Sequence, residues 1–170
     1  LSGRLVEPKI DTIQWSVQSA QKEGYPHFML KEIFEQPTSI ANNFRGRIND
    51  DLSGLTFESL NLDEDYIRDI HRIVIMACGT AWHACLIGKY AFEQYARIPT
   101  EAIIASEFRY GDPFVDDKTL VIAVTQSGET ADTLAGVKLA NKMGAKTVVI
   151  CNVIGSSVPR ECHGAVYMNC

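Results

Sequence analysis

Residues 119–134 read TLVIAVTQSGETADTL. The run from Leu120 to Val124 is apolar throughout, and the segment Thr130–Met143 that follows it has a helical pattern and stops at Gly144. A short run without alternation suits a strand buried on both faces, and glycine just past a helix is a common terminator. Between the two lies Thr125-Gln126-Ser127-Gly128-Glu129-Thr130, a strand-to-helix turn with three hydroxyls. A helix start leaves backbone N–H groups unpaired and carries the positive end of the helix dipole, so such a turn suits an oxyanion. The turn holds no Lys or Arg. Its grip must come from amides and hydroxyls, which favours one terminal phosphate on a small polar molecule; the lysine and spacing of a triphosphate-binding P-loop are absent.

Working outward, the same grammar repeats. Further strands are expected at Arg72–Ala77, Glu101–Ala105, Thr147–Asn152 and Ala165–Met168, separated by a helix over Thr80–Tyr95, a short turn near Glu107–Tyr110 and the helix over Thr130–Met143. Alternating strands and helices imply an α/β fold with a doubly wound parallel five-stranded sheet. Ligands in such sheets bind at the carboxyl ends of the strands. Three loops there are rich in Gly, Ser, Thr or Asn: Cys78-Gly79-Thr80, Thr125 to Thr130, and Asn152 to Ser157. All three are expected to converge on one edge. Before the sheet, Asp63 reads as the cap of a short helix, residues 49–62 as a loop or short ribbon, and residues 26–48 as helices, interrupted near Pro37, that dock on a body. Trp82, Leu86 and Tyr90 read as a core-facing stripe.

With 170 residues, 46% hydrophobic and 22% charged, the chain can bury one well-formed core. A net charge of −5 without any basic run argues against nucleic acid or an anionic membrane as partner. No apolar run approaches the ~18 residues of a membrane span, and the expected compartment is the cytoplasm. Five cysteines without CxxC pairs read as reduced thiols. The four histidines have no ligand spacing, so no metal is expected. Glu107, Arg109 and Tyr110 could form a charged rim or a subunit contact. Glu129 is expected to point away from any phosphate, because its carboxylate would repel one. The chain begins at Leu1 and stops directly after its last strand, which reads as a piece of a longer protein.

CGT at 78–80, ASEFRYGDP at 105–113, SGETADTL at 127–134 and NVIGSSVPRE at 152–161 together resemble the sugar-isomerase (SIS) domain of the glucosamine-6-phosphate synthase family, the glutamine:fructose-6-phosphate aminotransferases. HFMLKEIFEQP at 27–37 resembles the opening of that family's isomerase half, and the EFRY form is the bacterial rather than the animal one. The resemblance implies a flavodoxin-like strand order with an N-terminal helical extension. It divides the chain into the end of a glutaminase domain with its linker (1–24), a helical lead-in (25–70) and a first SIS subdomain cut short at its C-terminus (71–170).

It also implies fructose 6-phosphate as substrate and glucosamine 6-phosphate as product, with no cofactor and a homodimer formed through the isomerase domain. By the same resemblance Thr125, Gln126, Ser127, Gly128 and Thr130 hold the phosphate, and Cys78, Gly79 and Thr80 lie beside the sugar. Thr125 stands where many relatives have serine and keeps the hydroxyl; Ala81 stands where many have serine and loses it. The glutamine-hydrolysing cysteine, the segment AGxEIGVASTK and the second isomerase subdomain, which supplies the family's catalytic glutamate, histidine and lysine, have no counterpart among these residues. No residue is therefore assigned a catalytic role, and the expectation is a phosphosugar-binding half-site that is inactive alone. The rival readings are a non-catalytic SIS-type sugar-phosphate sensor and a nucleotide-binding domain; the second is disfavoured by the lack of GxGxxG after the first strand.

Overall fold

The computed structural model describes residues 21–57 and 59–170, which fall into two units, one ending at Ala41 and one running Asn42–Cys170. In the second unit β1 (Arg72–Ala77), β2 (Thr100–Ile104), β3 (Thr119–Thr125), β4 (Lys146–Cys151) and β5 (Gly164–Tyr167) form one parallel sheet in the order β2-β1-β3-β4-β5. Each strand lies within a residue or so of its apolar run, and this is the flavodoxin-like order expected.

Successive side chains of a strand point to opposite faces, so an apolar run must supply two cores at once. Val74, Met76, Val121, Ala123 and Val149 pack on one face with α5 (Ala131–Lys142) and the shorter α4 (Ala105–Tyr110) and α6 (Ser157–Glu161). Ile73, Ile75, Ala77, Leu120, Ile122 and Val148 pack on the other, with Ala81, Trp82 and Cys85 of α3 (Thr80–Ala91). The helix after β1 and the helix after β3 thus cover opposite faces, because the chain leaves β1 toward β2 and leaves β3 toward β4. Their starts diverge, and a crevice opens between the carboxyl ends of these two neighbouring strands.

Several local details depart from the sequence reading. The segment 105–110 is a helix rather than a turn, and α6 stands where no helix is expected; Pro159 falls in its first turn, where a missing N–H costs nothing. The helix after β1 finishes in a π-helical turn, Phe92–Ala96. Tyr90 is 65% exposed, not core. Eight residues advance an ideal helix by about two turns and 80°, which carries Tyr90 off the face that Trp82 occupies. The helix α1 (Phe28–Phe44), most of which belongs to the first unit, runs through Pro37 without interruption. The ring removes a single backbone donor, and the turns on either side keep theirs.

Other ends behave as the residues dictate. The Asp63 carboxylate accepts from the Asp65 amide at 2.8 Å and caps α2 (Glu64–Asp69). Gly144, at φ +94°, closes α5: its N–H donates to Asn141 O and that of Ala145 to Ala140 O, both at 3.1 Å. Residues 48–56 make a tight antiparallel ribbon through the Ile48–Leu55 bridge, and Leu60 pairs antiparallel with Gly164. The Ala165 N–H donates to Ser59 O at 2.9 Å, so this lead-in segment covers the outer edge of β5.

Candidate functional site

Because Ala77 of β1 pairs with Val124 of β3, Cys78 and Thr125 leave the sheet side by side. A cleft of about 210 Å³ opens there, lined by Cys78, Thr80, Ala81, Val124, Thr125, Gln126, Ser127 and Thr130. Six of the eight residues singled out in the sequence thus line one cavity. The other two, Gly79 and Gly128, shape the turns. Gly79 adopts φ +61° and ψ −137°, a region that residues with a Cβ avoid. Gly128 adopts φ +70°, and a Cβ there would stand 1.9 Å from Ser156 Oγ and 2.9 Å from Cys151 Sγ.

The hydroxyls are arranged for the cavity rather than for the helix. Thr130 occupies the N-cap position of α5, yet its side chain makes no capping bond. Its Oγ1 lies 3.3 Å from Thr125 Oγ1, which also accepts from the Gly128 N–H at 3.2 Å. Ser127 Oγ accepts from the Glu129 N–H at 3.2 Å, closing the outer side of the turn. The first intrahelical bond of α5 is from Leu134 N–H to Thr130 O, at 2.9 Å. The amides that precede Leu134 at the helix start have no intrahelical acceptor, the condition that suits an anion. Among the described residues, no Lys or Arg lines the cleft.

The loop Asn152–Ser157 leaves the same carboxyl edge of the sheet, as expected, but it does not line the cleft. It lies behind the β3 turn, because β4 is on the far side of β3 from β1. There it braces the turn: the Asn152 N–H donates to Gln126 O at 3.2 Å and the Val158 N–H to Gly128 O at 2.9 Å. Buried Ser156 donates to Val153 O at 2.7 Å and packs against Gly128. Glu129 belongs to the same brace. Its carboxylate accepts from the Ser157 N–H at 2.7 Å, and the bonds to Ser157 hold it below the usual carboxylate range. It points to α6 and does not line the cleft.

Arg109 and Tyr110, left undecided by the sequence, do not line the cleft but make an ion pair and a ring contact of their own. Arg109 Nη1 in the last turn of α4 donates to Asp132 Oδ1 in the first turn of α5 at 3.0 Å, and its guanidinium lies 4.8 Å from the Tyr110 ring centre. Sequence reading missed Ser156 as the wall behind Gly128. The only cue available was the glycine itself, placed where a turn demands positive φ.

Comparison with known proteins places this geometry. Residues 66–170 match the SIS domain family. Over 97% of its length the chain is 46% identical to a glutamine-fructose-6-phosphate aminotransferase (isomerizing) of Caldanaerobacter subterraneus subsp. tengcongensis, and 48% identical to the one of Methanosarcina acetivorans. It spans 27% of the length of each of these relatives. Among solved structures, the C-terminal domain of glucosamine-fructose-6-phosphate aminotransferase from Francisella tularensis superposes with a TM-score of 0.80 at 37% identity, over 88% of this chain and 42% of that one. The parallel sheet, the cleft at its β1–β3 junction and these matches agree: the chain belongs to the SIS domain family and is homologous to the isomerase region of those aminotransferases.

Proposed function

We propose that the cleft binds the phosphate of fructose 6-phosphate, as the substrate-anchoring part of the isomerase half of an aminotransferase that makes glucosamine 6-phosphate from fructose 6-phosphate and glutamine. The observation that carries the reading is the cleft itself, in which Thr80, Thr125, Ser127 and Thr130 stand around the start of α5 with no cation among them. Hydroxyls and amides of this kind fit a phosphate monoester, and Gln126 adds an amide for a sugar hydroxyl. Cys78 and the apolar walls at Ala81 and Val124 limit the room beside it.

None of these residues is a proton-transfer group suited to ring opening. The chain holds one end of the sugar, and groups outside it act on the carbonyl end. Fixing a substrate by a remote phosphate lowers the barrier to chemistry elsewhere, so an anchor affects turnover as well as affinity.

Titration of the 170-residue chain with fructose 6-phosphate, glucosamine 6-phosphate and fructose, followed through backbone amide resonances, tests the proposal. Both phosphosugars should shift the amides of residues 125–133 and fructose should leave them unmoved. The chain alone should show no aminotransferase or isomerase turnover. Equal response to fructose, or no response to either phosphosugar, would overturn the assignment.

A further inference from the structure

The phosphate turn is oddly acidic for its task. Glu129 and Asp132 stand on either side of Thr130 in the sequence, and among the described residues no Lys or Arg lines the cleft to balance them. A carboxylate one helical turn from a bound phosphate raises the free energy of that anion, most of all where the site relies on amides and hydroxyls. Glu129 is turned toward the Ser157 N–H. Asp132 is dealt with differently, by Arg109 at 3.0 Å, from a separate helix 23 residues earlier in the chain.

We propose that Arg109 determines the cleft's preference for a phosphorylated sugar by pairing with Asp132, which converts a negative charge in the first turn of α5, two residues after Thr130, into a neutral pair. Arg109 touches no ligand here; it is a positioning residue. The inference rests on the reading of the cleft as a phosphate site. The support for it is geometric. Buried Ala105 and Phe108 anchor α4 against the same core as α5, so the reach of Arg109 is set by packing. The guanidinium is further confined by the Tyr110 ring. Both side chains remain about two-fifths exposed, at 40% and 38%. An ion pair so exposed contributes little to folding stability. Its consequence falls on the local field, which acts on whatever charge occupies the cleft.

The test is equilibrium binding of fructose 6-phosphate to the 170-residue chain and four variants, with thermal melting to establish that each is folded. Arg109→Gln, which strands the carboxylate, should weaken binding about threefold to tenfold at low salt. Arg109→Lys should stay within about twofold of the unaltered chain, since the charge is kept. Asp132→Asn should not weaken binding, and Arg109→Gln combined with Asp132→Asn should restore it. The Arg109→Gln defect should shrink as salt is raised to ~1 M, where the screening length falls to about 3 Å. A purely structural contact would give neither rescue nor salt dependence. Unchanged affinity in a folded Arg109→Gln chain, or a double variant as weak as Arg109→Gln alone, would overturn the role while leaving the site standing. An unaltered chain that binds neither fructose 6-phosphate nor inorganic phosphate would remove the site and the role together.

Discussion

The hydroxyls of Thr125 and Thr130 meet at 3.3 Å across the turn, joining the end of β3 to the start of α5. They are not equivalent. Thr125 is buried and holds the Gly128 amide, whereas Thr130 spends its hydroxyl on nothing but this contact and the cavity. Thr130→Val should therefore weaken fructose 6-phosphate by ~1–3 kcal/mol, the cost of losing a hydrogen bond to a charged group, with little change in folding stability. Thr125→Val should also lower stability, by about 1 kcal/mol, because it strands a backbone donor. Calorimetric titration alongside urea denaturation separates the two effects; equal losses in both variants would mean the hydroxyls are interchangeable.

Gly128→Ala should be the most damaging single methyl in the site. The new Cβ would enter the buried wall at Ser156 and would also force an alanine to φ +70°. Overpacking and left-handed strain together should cost about 2–4 kcal/mol. A companion Ser156→Gly substitution should recover part of that loss in the denaturation midpoint, since it withdraws the atom in the way.

His163 links β5 to β4 and makes stability depend on pH. Its Nδ1 accepts from the Thr147 N–H at 3.1 Å, so the ring must be neutral with its proton on Nε2. Partial burial, with Lys146 nearby, lowers its pKa below the ordinary histidine value. A depressed value means the unfolded chain takes up the proton first. The contribution is therefore intact above the unfolded-state value of about 6.5 and is lost as pH falls below it toward the folded-state value. The urea midpoint should drop between pH 7.5 and pH 5, and His163→Gln should flatten that part of the profile; an unchanged profile would show that protonation does not reach this bond.

The cysteines should divide by reactivity. Burial pushes the Cys85 thiol up to about 11 and the Cys162 thiol up to about 12. Neither forms appreciable thiolate at pH 8, so both should resist iodoacetamide. Exposed Cys170 should be alkylated freely. Cys78 lines the cleft, and its labelling should slow in the presence of fructose 6-phosphate. Peptide mass spectrometry reads all four rates, and modification of Cys162 as fast as Cys170 would contradict the burial.

The strands were legible because a parallel strand covered on both faces needs an apolar residue at every position, a pattern visible without knowing the partner strand. The β3 turn was legible for the same local reason. What escaped reading was set by tertiary placement. The Glu129 carboxylate finds its donor 28 residues away at Ser157, and Arg109 finds Asp132 across a helix pair. Nothing in either local sequence names the partner. The bracing role of the third loop was not legible because it depends on strand order: next to β3 but away from β1, it could only brace the turn. Short helices such as α6 lack enough residues to display a period, and Pro159 disguises this one further.

The lead-in segment at Ser59 and Leu60 has a bearing beyond the edge it covers. The match to the SIS domain family starts at residue 66, yet the backbone that seals β5 lies upstream of it. A polypeptide trimmed to residues 66–170 would present an open row of amides and carbonyls to its neighbours, an invitation to sheet-to-sheet self-association. The stretch of chain needed to keep the β5 edge paired is longer than the stretch that matches the SIS family.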